Sequence, residues 1–360
     1  KQKQEIVLNE MYNQHMISKE ERDQAIAQKL VFKSGKVVSD KASTQSYYTD
    51  QVIEDVIADL QEKYGYNRKI ASSLIYSGGL KIYTAMDKNV QDAMDSVFVN
   101  NSSFPTVVGS KQPEAAMTVI DPHTGAVLGM VGGKGQKTGA RTLNRSTQTT
   151  RPPGSAIKPV AVYAPALENN VITEGSVFDD TPFDIEGRYP KNYTRTYTGL
   201  KSVKQAVSES NNAVPVRILD KLGFDKSYKF LTENLHVTSL VKRLVGSGGT
   251  VSSDLNYGPL ALGGLTKGVS VQELTAAYVP FANGGIYYTP YTYTKVVDGK
   301  GNVLLEKAAD PSVAMREQVA YIMNDLLQGV VNNGTGAAAK IANQPTAGKT
   351  GTTSDDFDRW

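Results

Sequence analysis

Ser155 and Lys158 stand three residues apart, just after a Pro-Pro-Gly turn, in the stretch Arg151-Pro-Pro-Gly-Ser155-Ala-Ile-Lys158-Pro-Val-Ala-Val-Tyr-Ala-Pro-Ala-Leu-Glu168. The apolar residues after the turn read as a helix that begins with the serine and carries the lysine on the same face. Helix starts gather unpaired N–H groups and partial positive charge, which favour an alkoxide or oxyanion. A lysine one turn away acts as a base when burial keeps it neutral. The spacing alone is not distinctive. At ordinary usage of about 7% each for Ser and Lys, Ser-x-x-Lys arises by chance about once or twice in a chain this long, and Ser239-Leu-Val-Lys242 is a second copy.

Composition narrows the chemistry. Cysteine is absent, which excludes thiol catalysis, disulfides and thiolate metal sites. His15, His123 and His236 lie far apart without paired ligand spacing, so no metal or other cofactor is expected and lysine is the better candidate base. The 39 basic and 36 acidic residues include no polybasic run, so nucleic acid is not expected as a partner. Hydrophobic residues make up 40% of the chain, enough for a sizeable core in roughly two domains. No run approaches the roughly 18 apolar residues of a membrane helix. The opening Lys1-Gln-Lys-Gln-Glu5 reads as the middle of a helix rather than a signal peptide, so the chain is expected to be a fragment with an upstream portion missing.

Elements that would position the pair follow from periodicity. Residues 5–30 form a helical hairpin whose second helix starts at the capping box Ser18-Lys-Glu-Glu21. After a polar stretch from Ser34 to Ser46, Val52, Ile53, Val56, Ile57 and Leu60 predict a helix over 47–64. Gly78 to Thr84 reads as a strand, Asp87 caps a helix to Phe98, and a polar loop from Asn100 to Gln112 places the main domain boundary near Lys111. Residues 115–120 and 126–131 form a hairpin around Asp121-Pro-His-Thr-Gly125. The loop between Phe178 and Gly199 carries Tyr189, Tyr193 and Tyr197, for which surface packing is a commoner use than ligand binding. Two apolar helical segments, from Ser202 and from Val214 to Leu222, are interrupted by the polar Ser208-Glu-Ser210-Asn-Asn212, which puts a serine and an asparagine at the tip of a helical pair. A helix over 271–281, a Tyr-rich strand over 286–297, a turn at Asp298-Gly-Lys-Gly301 and a helix over 316–331 precede Thr346-Ala-Gly-Lys349-Thr-Gly-Thr352, read as a strand.

In order along the chain, Ser155-x-x-Lys158, Ser210-x-Asn212 and Lys349-Thr-Gly351 resemble the signature of the penicillin-binding proteins and serine β-lactamases. Ser-x-Asn occurs once. Lys-Ser/Thr-Gly occurs three times, but Lys33-Ser-Gly35 and Lys137-Thr-Gly139 precede the other two elements. The chemistry accounts for each residue type. A serine hydroxyl is a poor nucleophile, so Lys158 takes its proton, with burial and the second cation Lys349 both depressing the lysine pKa. Ser210 relays a proton to the leaving amine, and Asn212 orients Lys158 and binds substrate backbone. Lys349, Thr350 and Thr352 suit a terminal carboxylate, and Gly351 lets substrate backbone approach. The backbone N–H groups of Ser155 and Thr352 are expected to converge as an oxyanion hole.

The resemblance extends through Asp121-Pro-x-Thr-Gly125, Asn144-Arg145, Arg151-x-Pro-Gly-Ser155, Pro190-x-Asn192-Tyr193, Ala261-Leu-Gly263 and Phe281-Ala-Asn-Gly-Gly285, all similar to the transpeptidase domain of bifunctional class A penicillin-binding proteins. The first 30 residues resemble the end of the glycosyltransferase domain that precedes it. The resemblance implies an α+β fold, a five-stranded antiparallel sheet flanked by helices, with residues 1–46 the end of the glycosyltransferase-like domain, 47–110 an interdomain linker and 111–360 the transpeptidase domain. It implies D,D-transpeptidation on the extracytoplasmic face of a bacterial membrane, the full-length protein being anchored there. The partners implied are a peptidoglycan stem peptide ending in D-Ala-D-Ala, an acceptor amine, and β-lactams, which acylate the same serine. Alternatives are a D,D-carboxypeptidase, a β-lactamase-type hydrolase or a noncatalytic penicilloyl sensor. Because the family follows its Lys-Thr-Gly strand with two more strands, a further C-terminal segment completing the sheet is also expected.

Overall fold

The computed structural model describes residues 2–28, 44–104, 112–184, 190–353 and 357–360. Its contacts divide the chain into two units, Lys1–Ser43 and Thr44–Trp360. In the first unit, helices Gln2–Asn13 and Lys19–Ala27 form the expected hairpin, and the capping box is present: Ser18 Oγ accepts from Glu21 N–H while the Glu21 carboxylate accepts from Ser18 N–H. The polar stretch from Ser34 lies outside the described residues up to Ser43.

Residues 47–110, read from the sequence as a linker, fall within the second unit, and 47–104 of them are described. Helix Tyr47–Tyr64 buries Tyr48, Val52, Ile53, Val56, Ile57 and Leu60, each worth about 1.5–3 kcal/mol of transfer out of water. Its Tyr48 hydroxyl donates to Val127 O at 2.7 Å or to Thr292 O at 2.8 Å, between hairpin and sheet. Strand Lys81–Thr84 pairs antiparallel with Tyr293–Val297, whose other edge takes Val303–Glu306 across the expected Asp298–Gly301 turn. Helix Arg68–Ser77, capped by Asn67, has no counterpart in the sequence reading.

The unit is α+β, with antiparallel strand pairs flanked by helices, as the resemblance implies. The described strands form a three-stranded sheet and four two-stranded pairs. The Tyr-rich run is two strands, Ile286–Tyr288 and Tyr293–Val297, because Pro290 has no N–H to give to a ladder. The first pairs with Pro311–Val313 and the second with Lys81–Thr84 and Val303–Glu306. Hairpin Met117–Ile120 and Val127–Val131 forms as expected.

Two motifs far apart in sequence lock together beside it. Asn283 Nδ2 donates to Pro122 O at 2.5 Å and to Ile286 O at 2.7 Å, so the Asn283-Gly-Gly turn holds the Asp121–Gly125 turn. Helices Val203–Ser208, Ala213–Leu222, Val271–Ala282 and Glu317–Asn333 bury their apolar faces in one core with the segment that follows Ser155.

Candidate active site

The Arg151–Gly154 lead-in is held by three close backbone approaches. Gly154 has φ +54°, a left-handed conformation that glycine adopts at little cost. A Cβ on Gly263 would lie 2.0 Å from Gly154 O, one on Gly268 2.3 Å from Arg151 C, and one on Gly351 2.3 Å from Pro153 O. Arg151 bridges Val269 through reciprocal N–H···O bonds of 2.9 Å. Trp360 Nε1 donates to Pro152 O at 2.9 Å, and Arg151 Nε pairs with Asp358 at 2.8 Å.

The chain then enters a 3₁₀ turn, Gly154–Ile157, and a π-helical turn, Pro159–Tyr163, before the short α-helix Ala164–Glu168. The predicted helix is therefore not a regular α-helix. Pro159 lacks an N–H and interrupts the i→i−4 ladder, so the wider π turn follows it. The Ser227 hydroxyl donates to Ala161 O at 2.5 Å within that turn. Residues 156–164 are all buried, including Lys158.

Ser155 is half-buried, and among the described residues its hydroxyl has no hydrogen-bond partner. Lys158 Nζ donates to Ser210 O at 2.9 Å, Asn211 O at 2.7 Å and Asn212 Oδ1 at 2.6 Å. Burial first, and then the charge of Lys349, push Lys158 well below the usual lysine range. Three oxygen acceptors consume the three N–H bonds of an ammonium, whereas a neutral amine has two N–H bonds and a lone pair. Receiving a proton from Ser155 thus requires the neutral amine to release one of these oxygens and turn its lone pair towards the serine.

Those acceptors belong to a helix C-terminus. Val203–Ser208 ends with Ser210 N–H donating to Val207 O at 3.1 Å and Asn211 N–H to Ala206 O at 2.9 Å, the paired bonds of a Schellman turn. Ser210 sits at its left-handed position with φ +57°, where glycine is usual and another residue costs about 1 kcal/mol. The turn directs two carbonyls at Lys158. Ser210 Oγ instead accepts from Lys349 Nζ at 2.7 Å, so the hydroxyl expected to relay protons from Lys158 bonds the other lysine.

Lys349 also donates to Thr350 O at 2.9 Å, and burial pushes it down to about 8. Its segment is not a strand, contrary to expectation. Gly348 N–H goes to Leu327 O on helix Glu317–Asn333, and pairing is confined to Gly351–Thr353 against 358–360. Thr350 Oγ1 meets Thr335 Oγ1 at 2.8 Å, and Thr352 is exposed. Gly351, expected to admit substrate backbone, is packed on Pro153 and Ala156. Among the described residues neither Ser155 N–H nor Thr352 N–H donates to a protein acceptor.

The structure therefore gathers Lys158, Ser210, Asn212 and Lys349 into one hydrogen-bonded cluster, with Ser155 one turn before Lys158. The decoys are elsewhere. Ser239 Oγ is buried without a partner among the described residues, while Lys242 lies over the Tyr228 ring. Lys137 is paired with Asp50 at 2.6 Å, and Lys33 lies outside the described residues. Of the loop tyrosines, Tyr193 is exposed, the Tyr197 hydroxyl donates to Pro190 O at 2.9 Å, and Tyr189 lies outside the described residues. Sequence reasoning missed Asp180, whose oxygens accept from Asn192 Nδ2 at 2.7 Å and from Thr198; an acid at the end of a short strand carries no pattern signal. Among the described residues no cluster of His, Asp and Glu is arranged to hold a metal ion, and no helix is long and apolar enough to cross a membrane.

Residues 115–356 match the family described as the penicillin binding protein transpeptidase domain. Over 351 residues the chain is 36% identical to penicillin-binding protein 1A of Clostridium acetobutylicum, an alignment covering 92% of this chain and 41% of that protein. Penicillin-binding protein 1A of Clostridium botulinum is 33% identical over 374 residues, covering 98% of this chain and 43% of the relative. Among solved structures, PonA1 from Mycobacterium tuberculosis in complex with penicillin V has the same fold at a TM-score of 0.68 and 22% identity, covering 86% of this chain and 79% of that one. Penicillin-binding protein 1A from Haemophilus influenzae gives 0.67 at 18% identity, over 97% and 68%. The chain belongs to the penicillin-binding protein transpeptidase family. It spans about two-fifths of the length of the two 1A proteins from Clostridium.

Proposed function

We propose that residues 111–360 are a D,D-transpeptidase domain that cross-links peptidoglycan stem peptides through an acyl-enzyme on Ser155. Ser155 Oγ attacks the penultimate D-Ala carbonyl, and Lys158, as the neutral amine, takes its proton. The oxyanion is stabilised by the N–H groups of Ser155 and Thr352, which have no other acceptor among the described residues. The proton reaches the departing D-Ala amine through the cluster, and an acceptor amine on a neighbouring stem then displaces Ser155. Lys349 offers its cation, with Thr350 and Thr352, to the terminal carboxylate. The four-membered ring of a β-lactam, with a carboxylate in the corresponding place, enters by the same first step.

The observation that carries this reading is the buried Lys158 side chain, its Nζ held by three oxygens of the Ser210–Asn212 turn more than fifty residues along the chain. Such a site serves chemistry better than stability, since a buried charge repays its desolvation poorly. Residues 1–46 are the end of a glycosyltransferase-like domain in this reading, 47–110 connect it to the transpeptidase domain, and the whole protein works, membrane-anchored, at the extracytoplasmic face where stem peptides are found.

Labelling with a fluorescent penicillin, followed by denaturing electrophoresis, tests it. Ser155→Ala is expected to abolish the label without loss of fold, because no side-chain hydrogen bond is removed; a Ser155→Ala variant that still labels refutes the assignment.

A further inference from the structure

Asp180 ends strand Val177–Asp180 and is 1% exposed. Its Oδ1 accepts from Asn192 Nδ2 at 2.7 Å, and its Oδ2 accepts from the Thr198 N–H at 3.1 Å and hydroxyl at 3.2 Å. Burial works to raise this carboxyl. Hydrogen bonds from Asn211, Asn192 and Thr198 outweigh burial and hold it below the usual carboxylate range, so it is ionised at neutral pH. An ionised carboxylate is acceptor-only and fixes which way round the Asn192 amide sits. Asn192 Nδ2 spends its hydrogens on Asp180 and on Thr196 O at 2.9 Å. Its Oδ1 is left to accept the Asn212 N–H at 2.9 Å, and Asn212 Oδ1 in turn accepts from Lys158 Nζ at 2.6 Å. A directed chain thus runs from a buried carboxylate through two amides to the lysine.

We propose that Asp180 and Asn192 are positioning residues that hold the Ser210–Asn212 turn, and through it the three oxygens around Lys158 Nζ, in the geometry from which Lys158 serves Ser155. This inference rests on the reading of Ser155 and Lys158 above. Both residues are buried; Asn192 bonds the very asparagine whose side chain touches the lysine, and Asp180 bonds Asn192. A chain of buried polar groups costs desolvation that an apolar pair would avoid, and it repays that cost by admitting only one arrangement. Other charges near this chain are Lys349, which acts on Lys158; the Lys201–Glu209 pair at 2.5 Å beside the turn; Arg217, which donates to Thr181 next to Asp180 at 3.0 Å; and Asp179 and Lys191, the sequence neighbours of Asp180 and Asn192, with Lys191 O accepting from Asn212 Nδ2 at 2.7 Å.

The test is the rate of acylation by a fluorescent penicillin, measured from about pH 5 to 9, for the whole 360-residue chain and for Asn192→Ala, Asp180→Asn, and the exchanged pair Asp180→Asn with Asn192→Asp. Acylation needs neutral Lys158, so its rate rises through the lysine pKa. Loosening the three acceptors stabilises the ammonium less and moves that limb to lower pH. The misplaced amine lowers the plateau by about tenfold to a hundredfold. The single variants are expected to show both changes. The exchanged pair puts a donor back against an acceptor between residues 180 and 192 and keeps an oxygen for the Asn212 N–H while losing the bond to Thr196 O. It is therefore expected to recover part of the plateau relative to Asn192→Ala, which loses all three bonds, even where a single variant folds poorly.

A lowered amplitude with an unmoved limb means a structural role only and overturns the proposal, as do wild-type profiles in both single variants or an exchanged pair no better than Asn192→Ala. Ser155→Ala runs alongside. If it still labels, the nucleophile reading falls and takes this inference with it; if it is silent while Asn192→Ala is indistinguishable from wild type, only this inference falls.

Discussion

Replacing Gly351 by alanine tests how tightly the two halves of the site are fitted. The new Cβ would lie 2.3 Å from Pro153 O, with Ala156 Cβ at 3.0 Å and Ala156 N at 3.1 Å closing the direction of escape. Real Cβ atoms keep at least about 3.0 Å, so the Lys349–Thr352 segment must retreat from the Ser155 lead-in by roughly 0.7 Å, at a cost of about 1–3 kcal/mol for overpacking a backbone that cannot rotate away. That retreat matters more to chemistry than to folding. It stretches the 2.7 Å bond between Lys349 Nζ and Ser210 Oγ beyond the roughly 3.2 Å at which such a bond is effective. It also draws the Thr352 N–H away from the Ser155 N–H.

A misplacement of this size lowers acylation by about ten- to a hundredfold, while the melting temperature falls by a few degrees. Stopped-flow acylation with a fluorescent penicillin, paired with a thermal melt, measures both. A Gly351→Ala protein that acylates within about twofold of wild type refutes the claim that this glycine is the spacer between nucleophile and carboxylate-binding segment. It would return Gly351 to the role read from sequence, admission of substrate backbone.

In the proposed reading, Lys349 is expected to set an alkaline limit. Deprotonation through its pKa of about 8 removes the positive charge, so acylation by carboxylate-bearing β-lactams is expected to fall as pH rises past that value. Lys349→Arg keeps the cation and moves the fall upward at a lower overall rate; a wild-type rate that stays flat from about pH 7 to 10 contradicts this. Ser239→Ala, at the decoy motif, removes a buried hydroxyl with no partner among the described residues. It is expected to leave labelling unchanged and stability equal or higher in a denaturant melt, since an unsatisfied buried polar group costs about 1–3 kcal/mol.

Much of the scaffold was legible because it is locally encoded. The Ser18 and Asp87 caps, the helix through Val52, Ile53, Val56, Ile57 and Leu60, and the turns at Asp121–Gly125 and Asp298–Gly301 each depend on a few adjacent residues. Where the reading failed, a partner distant in sequence decided the outcome. Periodicity made the stretch after Ser155 a helix, but Pro159 and the close approaches of Gly263 and Gly351 made it a 3₁₀ turn followed by a π turn. The Tyr-rich run over 286–297 was read as one strand, and Pro290 divided its pairing between two sheets. Ala261-Leu-Gly263 was visible only as a family likeness; its physical content is a glycine packed on the carbonyl of Gly154.

Lys158, Ser210, Asn212 and Lys349, which the sequence singles out, are brought together in the structure, but their connections were not legible. Residue types and order marked Lys158 as a base and Ser210 as its relay. The Schellman turn reverses part of that logic, because Ser210 gives Lys158 its backbone carbonyl and gives Lys349 its hydroxyl. Burial and Lys349 drive Lys158 towards the neutral amine, while Ser210 O, Asn211 O and Asn212 Oδ1 hold the ammonium. A base needs this opposition. An amine with no acceptors would be too weakly basic to take a serine proton, and one held by three oxygens without the second cation would never release its own. The balance is struck around Lys158 by a helix end, the second lysine Lys349 and a chain of amides that begins at Asp180, none of which lies within forty residues of Lys158 except Asp180 and Asn192 themselves.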